Sequence, residues 1–205
     1  MVLNRIGWRW VAAKAVAHAL ALLPLAWMVR DALADALGAD PVAALTHRTG
    51  DWALRLLLAC LAMTPLRRLL GQPWPIRFRR LLGLYAFLYA SLHLSVYVVL
   101  DLAGYWAQVL EDLAKRPFIT VGFTAWLLLV PLALTSTRGW MRRLGRRWGQ
   151  LHRAVYAAAA LGVLHYFWLV KADLREPLLY AGVLAVLLGV RVVARLQAGK
   201  TQAFE

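Results

Sequence analysis

The sequence predicts an all-α integral membrane protein, one bundle of about six transmembrane helices over residues 1–205 with both termini cytoplasmic, and three observations predict it. The chain is 62% hydrophobic with a mean hydropathy of +0.60, above the roughly half-apolar composition of a soluble domain. Its uncharged stretches fall at 15–29, 56–66, 81–100, 117–137, 154–170 and 177–190. With alternate connections placed on opposite sides, one side collects 17 of the 24 basic residues and a single acid, Glu205; the other holds the remaining 7 against 9 acids. Basic loops stay in the cytoplasm, so the net charge of +14 needs no nucleic acid to explain it.

Each span is justified in turn. The first follows Arg5, Arg9 and Lys14, as a signal peptide would, but no small-x-small cleavage site closes it before Arg30 and Asp31, so it reads as a retained helix. An outer loop over 31–51, broken by Gly38, Asp40 and Pro41, leads to a short second span ending near Pro65. The third and fourth stretches are long enough to cross a ~30 Å hydrocarbon layer at ~1.5 Å per residue; the shorter ones borrow flanking residues whose long Arg side chains snorkel. Outer connections are expected near 101–116 and 171–176, and the basic stretch 138–153 has the spacing of a short interfacial helix on anionic headgroups. Trp8, Trp10, Trp74, Trp140 and Trp148 beside cytoplasmic Arg residues suit an aromatic belt. Internal repeats are not evident. Cys60 is the one cysteine, which rules out an internal disulfide and a cysteine metal cluster.

The histidines carry the chemistry. An imidazole in hydrocarbon must find a partner, and neutral imidazole is a good metal ligand. His93 lies 13 residues past Arg80 in the third span, and His165 lies 12 past Arg153 in the fifth. Both spans run outward, so the two rings reach one depth and could clamp a haem iron from opposite faces, an arrangement that favours electron transfer over oxygen binding. His152 lies ~20 Å below His165 along a helix, a spacing that suits a second haem, although an ideal helix would turn the two rings ~140° apart. The third span offers Arg79 and Arg80 at that inner depth, and His18 in the first span is the candidate partner, about a turn deeper. For each histidine taken singly, a hydrogen-bonded packing residue is the alternative. His47 is expected in the outer loop, solvated or capping. Arg77, Arg79 and Arg80 could pair with haem propionates or a cofactor phosphate, or simply with lipid headgroups. There is no Gly-rich phosphate loop and no HExxH helix, so a donor must lie on one side and an acceptor on the other. A small transporter, or a structural anchor with packed histidines, remains the alternative to an electron carrier.

Several blocks also resemble a known family: LGADPVAALTHRTG at 37–50, RRLLGLYAFLYASLHLSVY at 79–97 and KRPFITVG at 115–122, then LTSTRGWMRRLGRRWGQLHRAVY at 134–156, HYFWLVK at 165–171 and PLLYAG at 177–182. In this order and spacing they are similar to the MsrQ (YedZ) family, the haem-binding membrane subunit of the bacterial MsrPQ methionine sulfoxide reductase system, within the ferric-reductase-like transmembrane superfamily. The resemblance implies a multi-pass protein of the bacterial inner membrane, an electron-transfer subunit rather than a complete enzyme. It would pass electrons to a periplasmic molybdopterin-containing methionine sulfoxide reductase. Its donor would be a cytoplasmic flavin reductase or the quinone pool, and its cofactors haem b, one or two copies, and FMN. The family's haem histidines fall on His93, His152 and His165; relatives in the wider superfamily place two histidines on the third span, where this chain has only His93.

Overall fold

The computed structural model describes residues 2–202, and every regular element among them is helical. Met1 and residues 203–205, including Glu205 and the end of the single domain, lie outside the described residues. The order is α1 (Val2–Leu33), α2 (Pro41–Leu70), α3 (Ile76–Ser95) running into a π-helical turn (Val96–Asp101), α4 (Trp106–Lys115), α5 (Pro117–Leu134), α6 (Arg138–Leu144), α7 (Arg146–Leu151), α8 (Ala154–Leu169) and α9 (Arg175–Gln202).

Among the described residues, four segments are long and apolar enough to cross a membrane on their own: Gly7–Leu33, Ile76–Asp101, Pro117–Leu134 and Arg175–Ala194. The other two expected spans correspond to α2 and α8. Helix α2 carries Arg48, Asp51 and Arg55 in its first half and Arg67 and Arg68 in its last turn, and α8 is only 16 residues long. Both sit where neighbours cover them, α2 chiefly against α3 and α8 chiefly against α5. Leu54, Leu57, Leu58 and Leu61 of α2 meet Ala86 and Tyr89 of α3, Ala158 and Ala159 of α8, and Leu184 of α9 in the core. The buried positions of α8, Val155, Ala158, Ala159 and Val163, recur at helical spacing on one face. Small residues there let the backbones approach, as packing within lipid requires.

The connections differ from the sequence expectation. The outer loop shrinks to 34–40, because the Asp40 carboxylate accepts from the Ala43 amide at 2.9 Å and Pro41 opens α2 at its first position. His47 therefore stands on α2 and not in a loop. The 101–116 connection contains α4, and the basic stretch 138–153 forms two short helices in place of one.

Two buried polar side chains repair or bridge helix ladders near prolines. The Tyr89 hydroxyl, fully buried, donates to the Ala21 carbonyl at 2.8 Å and accepts from the Leu25 amide at 3.1 Å, so it is inserted between two groups that bond each other in an unbroken helix, next to Pro24. Pro65 lacks the N–H that the Leu61 carbonyl would accept from. The guanidinium of Arg191, 7% exposed, donates to that carbonyl and, at 2.8 Å, to Leu187 of its own helix, and it lies over the Tyr156 ring at 5.5 Å.

Candidate functional site

Helices α3 and α8 bring His93 and His165 together with ring centroids 6.0 Å apart and planes at 78°. Each ring is fixed by a different neighbouring helix. His93 Nδ1 is 2.9 Å from the Thr46 carbonyl of α2, and His165 Nδ1 is 2.7 Å from the Phe118 carbonyl of α5. A carbonyl can only accept, so Nδ1 carries the proton in both rings, and Nε2 keeps its lone pair. This is the arrangement of metal-ligating histidines, whose other nitrogen donates to a backbone carbonyl or carboxylate.

Two nitrogen–metal bonds of about 2 Å each, added to the inner halves of two imidazole rings, come to about 6 Å, which matches the observed separation. Both rings line a cavity of about 340 Å³ whose walls are largely apolar, including Leu54, Ala86, Leu129 and Ala158. The donor pair, its tautomers and its apolar slot thus fit a haem held by two histidines.

One end of the cavity is roofed by α4, which contributes Val109 and Leu113. Tyr97, on the π-helical turn one helical turn beyond His93, donates its hydroxyl to Asp112 at 2.6 Å, and Gln108 donates to the other carboxylate oxygen at 3.2 Å. π-Helical turns concentrate at functional sites because they re-aim side chains. Asp112 is 3% exposed and pairs with Arg116 at 3.3 Å. The Tyr97 hydroxyl, ahead of Gln108 and Arg116, holds its carboxyl below the usual carboxylate range against the effect of burial.

The remaining sequence candidates are placed elsewhere. His152 occupies the turn between α7 and α8, so the helix is broken there and the ideal-helix angle to His165 does not apply. Its ring stacks on Trp148 at 3.9 Å, Nδ1 lies 3.1 Å from the Trp148 carbonyl, and its buried Nε2 has no protein partner. Burial pushes its pKa below the ordinary histidine value, and Arg79 adds to the lowering. His18 is turned to α3, with Nδ1 2.9 Å from the Tyr85 hydroxyl and its ring edge-on to the Tyr85 ring at 5.6 Å, so its contacts are with α3 and not with His152. Of the three arginines expected on the cytoplasmic side, Arg77 lies over the Trp10 ring at 4.1 Å, the Arg79 carbonyl accepts from the Cys60 thiol at 3.2 Å, and Arg80 is exposed. None of them lines the cavity; Arg116 is the Lys or Arg that does. The sequence reading passed over Arg116 and the carbonyls at Thr46 and Phe118, though Arg116 and Phe118 flank Pro117, the residue that starts α5.

Comparison with known proteins gives one family model, described as the ferric reductase like transmembrane component, matching residues 49–163. This stretch contains His93 and His152 and ends two residues before His165. Among curated relatives, a Xanthomonas axonopodis pv. citri protein is 61% identical over 94% of this chain and 91% of its own length. One from Xanthomonas campestris pv. campestris is 62% identical over the same shares. A Rhodospirillum rubrum protein is 55% identical over 84% of this chain and 83% of its own. All three are named protein-methionine-sulfoxide reductase heme-binding subunit MsrQ. No solved structure matches.

Proposed function

Because the chain belongs to the ferric-reductase-like transmembrane family and, within it, to the MsrQ heme-binding subunits, multi-pass proteins of a bacterial membrane with an electron-transfer role, we propose that His93 and His165 are the two axial ligands of a b-type haem. The observation that carries the proposal is the 6.0 Å ring pair with both Nδ1 hydrogens committed to backbone carbonyls. A haem held there supplies reversible one-electron transfer with no open coordination position. The protein's own part is to keep each Nε2 unprotonated, to hold the rings in register from four helices, and to keep water out with the apolar wall and the α4 roof. Arg116, at the cavity wall, is placed to meet a haem carboxylate.

The proposal extends to direction and partners. With the basic connections on the cytoplasmic side, six spans and both termini inside, the ring pair lies in the outer half of the inner membrane. Electrons would enter from a cytoplasmic flavin reductase or a quinol and leave to a periplasmic molybdopterin methionine sulfoxide reductase; the relatives' names, which pair a reductase with a heme-binding subunit, support the acceptor's class. His152, with its buried and unpartnered Nε2, is the proposed ligand of a second, inner haem. FMN joins the cofactor set on the strength of the family resemblance.

A dithionite-reduced minus oxidised spectrum of the purified protein tests the reading. The expected result is a low-spin b-type signal that is lost in His93→Ala and in His165→Ala. Colourless wild-type protein from haem-supplied cells would overturn it.

A further inference from the structure

Each ring of the pair packs closely against a glycine of the helix that also supplies its carbonyl. A Cβ at Gly122 would stand 2.6 Å from His165 Nδ1, 2.9 Å from Cε1 and 3.0 Å from Cγ. At Gly50 it would stand 3.1 Å from His93 Nδ1 and 3.2 Å from Cε1. At Gly122 the three similar distances place the ring face over the glycine, whereas at Gly50, with Cγ at 3.9 Å, the Nδ1–Cε1 side of the His93 ring tilts onto it. In both cases the glycine comes one helical turn after the carbonyl, Thr46 to Gly50 and Phe118 to Gly122, and the histidine follows its carbonyl by 47 residues. The carbonyl takes the Nδ1 hydrogen and the glycine seats the ring, so two contacts one turn apart fix both the position and the tilt of the imidazole.

The second set lies 72 residues after the first at all three positions. The pairs α2–α3 and α5–α8 are therefore two copies of one device, a repeat in space that the side chains between these positions hide in the sequence. Glycine weakens a helix interior relative to alanine, and its presence at both corresponding places answers to the room the rings need. Gly182 and Gly189, in α9, have open space where a Cβ would be, and Gly162, in α8, has only an ordinary contact with Leu54 at 3.7 Å.

We propose that Gly50 and Gly122 are positioning residues for the axial histidines, with the Gly122 seat the tighter. An added methyl at Gly122 pushes the His165 ring off the Phe118 carbonyl and swings Nε2 out of line with the partner ring. At Gly50 a displacement of a few tenths of an ångström suffices. This rests on the haem reading above and adds to it two residues that act through the histidine rings packed on them.

The test compares Gly122→Ala, Gly50→Ala and the control Gly189→Ala, in α9 and away from the cavity, as full-length proteins in detergent, by haem content, optical and EPR spin state, and redox titration. In Gly122→Ala the low-spin signal is expected to give way to a high-spin one or to disappear with the haem, as in His165→Ala. Gly50→Ala should retain haem with a shifted midpoint potential, and Gly189→Ala should match wild type. A Gly122→Ala protein with wild-type haem content, spin state and potential overturns the cradle while leaving the haem reading intact. Should Gly122→Ala fail to accumulate, a wild-type spectrum and potential in Gly50→Ala overturns it instead. Wild-type protein without haem removes the haem reading and the cradle together.

Discussion

Arg191 and Pro65 should be thermodynamically coupled although they lie on different helices. The proline deletes the donor that would have bonded the Leu61 carbonyl, and the guanidinium, 7% exposed, replaces it from α9. Arg191→Met alone sets two effects against each other: a buried charge is removed, which favours the folded state, and a buried carbonyl loses its partner, which costs about 1–3 kcal/mol. The single variant is therefore a poor measure of the bond. In the Pro65→Ala background an alanine amide regains the Leu61 carbonyl, so the same arginine substitution should cost about 1–3 kcal/mol less than it does beside the proline. Reversible unfolding in mixed micelles, followed by far-ultraviolet circular dichroism, would give the four stabilities of the cycle. Additivity within about 0.5 kcal/mol would show that the arginine does not substitute for the missing amide.

Two other substitutions read different parts of the molecule. His152→Ala should lower the haem-to-protein ratio measured as the pyridine haemochrome while the signal that depends on His93 and His165 persists; an unchanged ratio would remove the inner ligand assignment. At the α4 roof, Asp112 has a folded-state pKa below its unfolded value because Tyr97 donates to it. Its contribution is therefore fully present above the ordinary carboxylate pKa and is lost as pH falls through the depressed folded value. Melting temperatures recorded from about pH 6 down to about pH 3 should fall for wild type and fall less steeply for Asp112→Asn; parallel curves would show that the Tyr97 contact does not link to stability.

Four of the expected spans and the meeting of His93 with His165 are legible in the sequence because hydropathy and helical rise are properties of one segment at a time. The partners of those rings were not legible in the same way. Thr46 and Phe118 act through their carbonyls, and a backbone atom leaves no mark on residue type. Gly50 and Gly122 end two of the blocks that carry the family resemblance, yet nothing local says that a ring will lie on them. Hydropathy alone makes α2 look short because Arg48, Asp51 and Arg55 lower its apolarity, whereas Asp40 and Pro41 mark its true start in cap chemistry. The cytoplasmic trio Arg77, Arg79 and Arg80 drew attention through its density of charge. Arg116 sits at the cavity because α5 begins beside it, a matter of where a helix starts and not of how many charges surround it.

The Tyr89 wedge bears on biogenesis. Ala21 and Leu25 would close their own bond in a first helix entering the bilayer alone, and the hydroxyl that parts them belongs to a residue synthesised 64 positions after Leu25. The Tyr89 contacts with the first span are thus made late, when the third span arrives beside it.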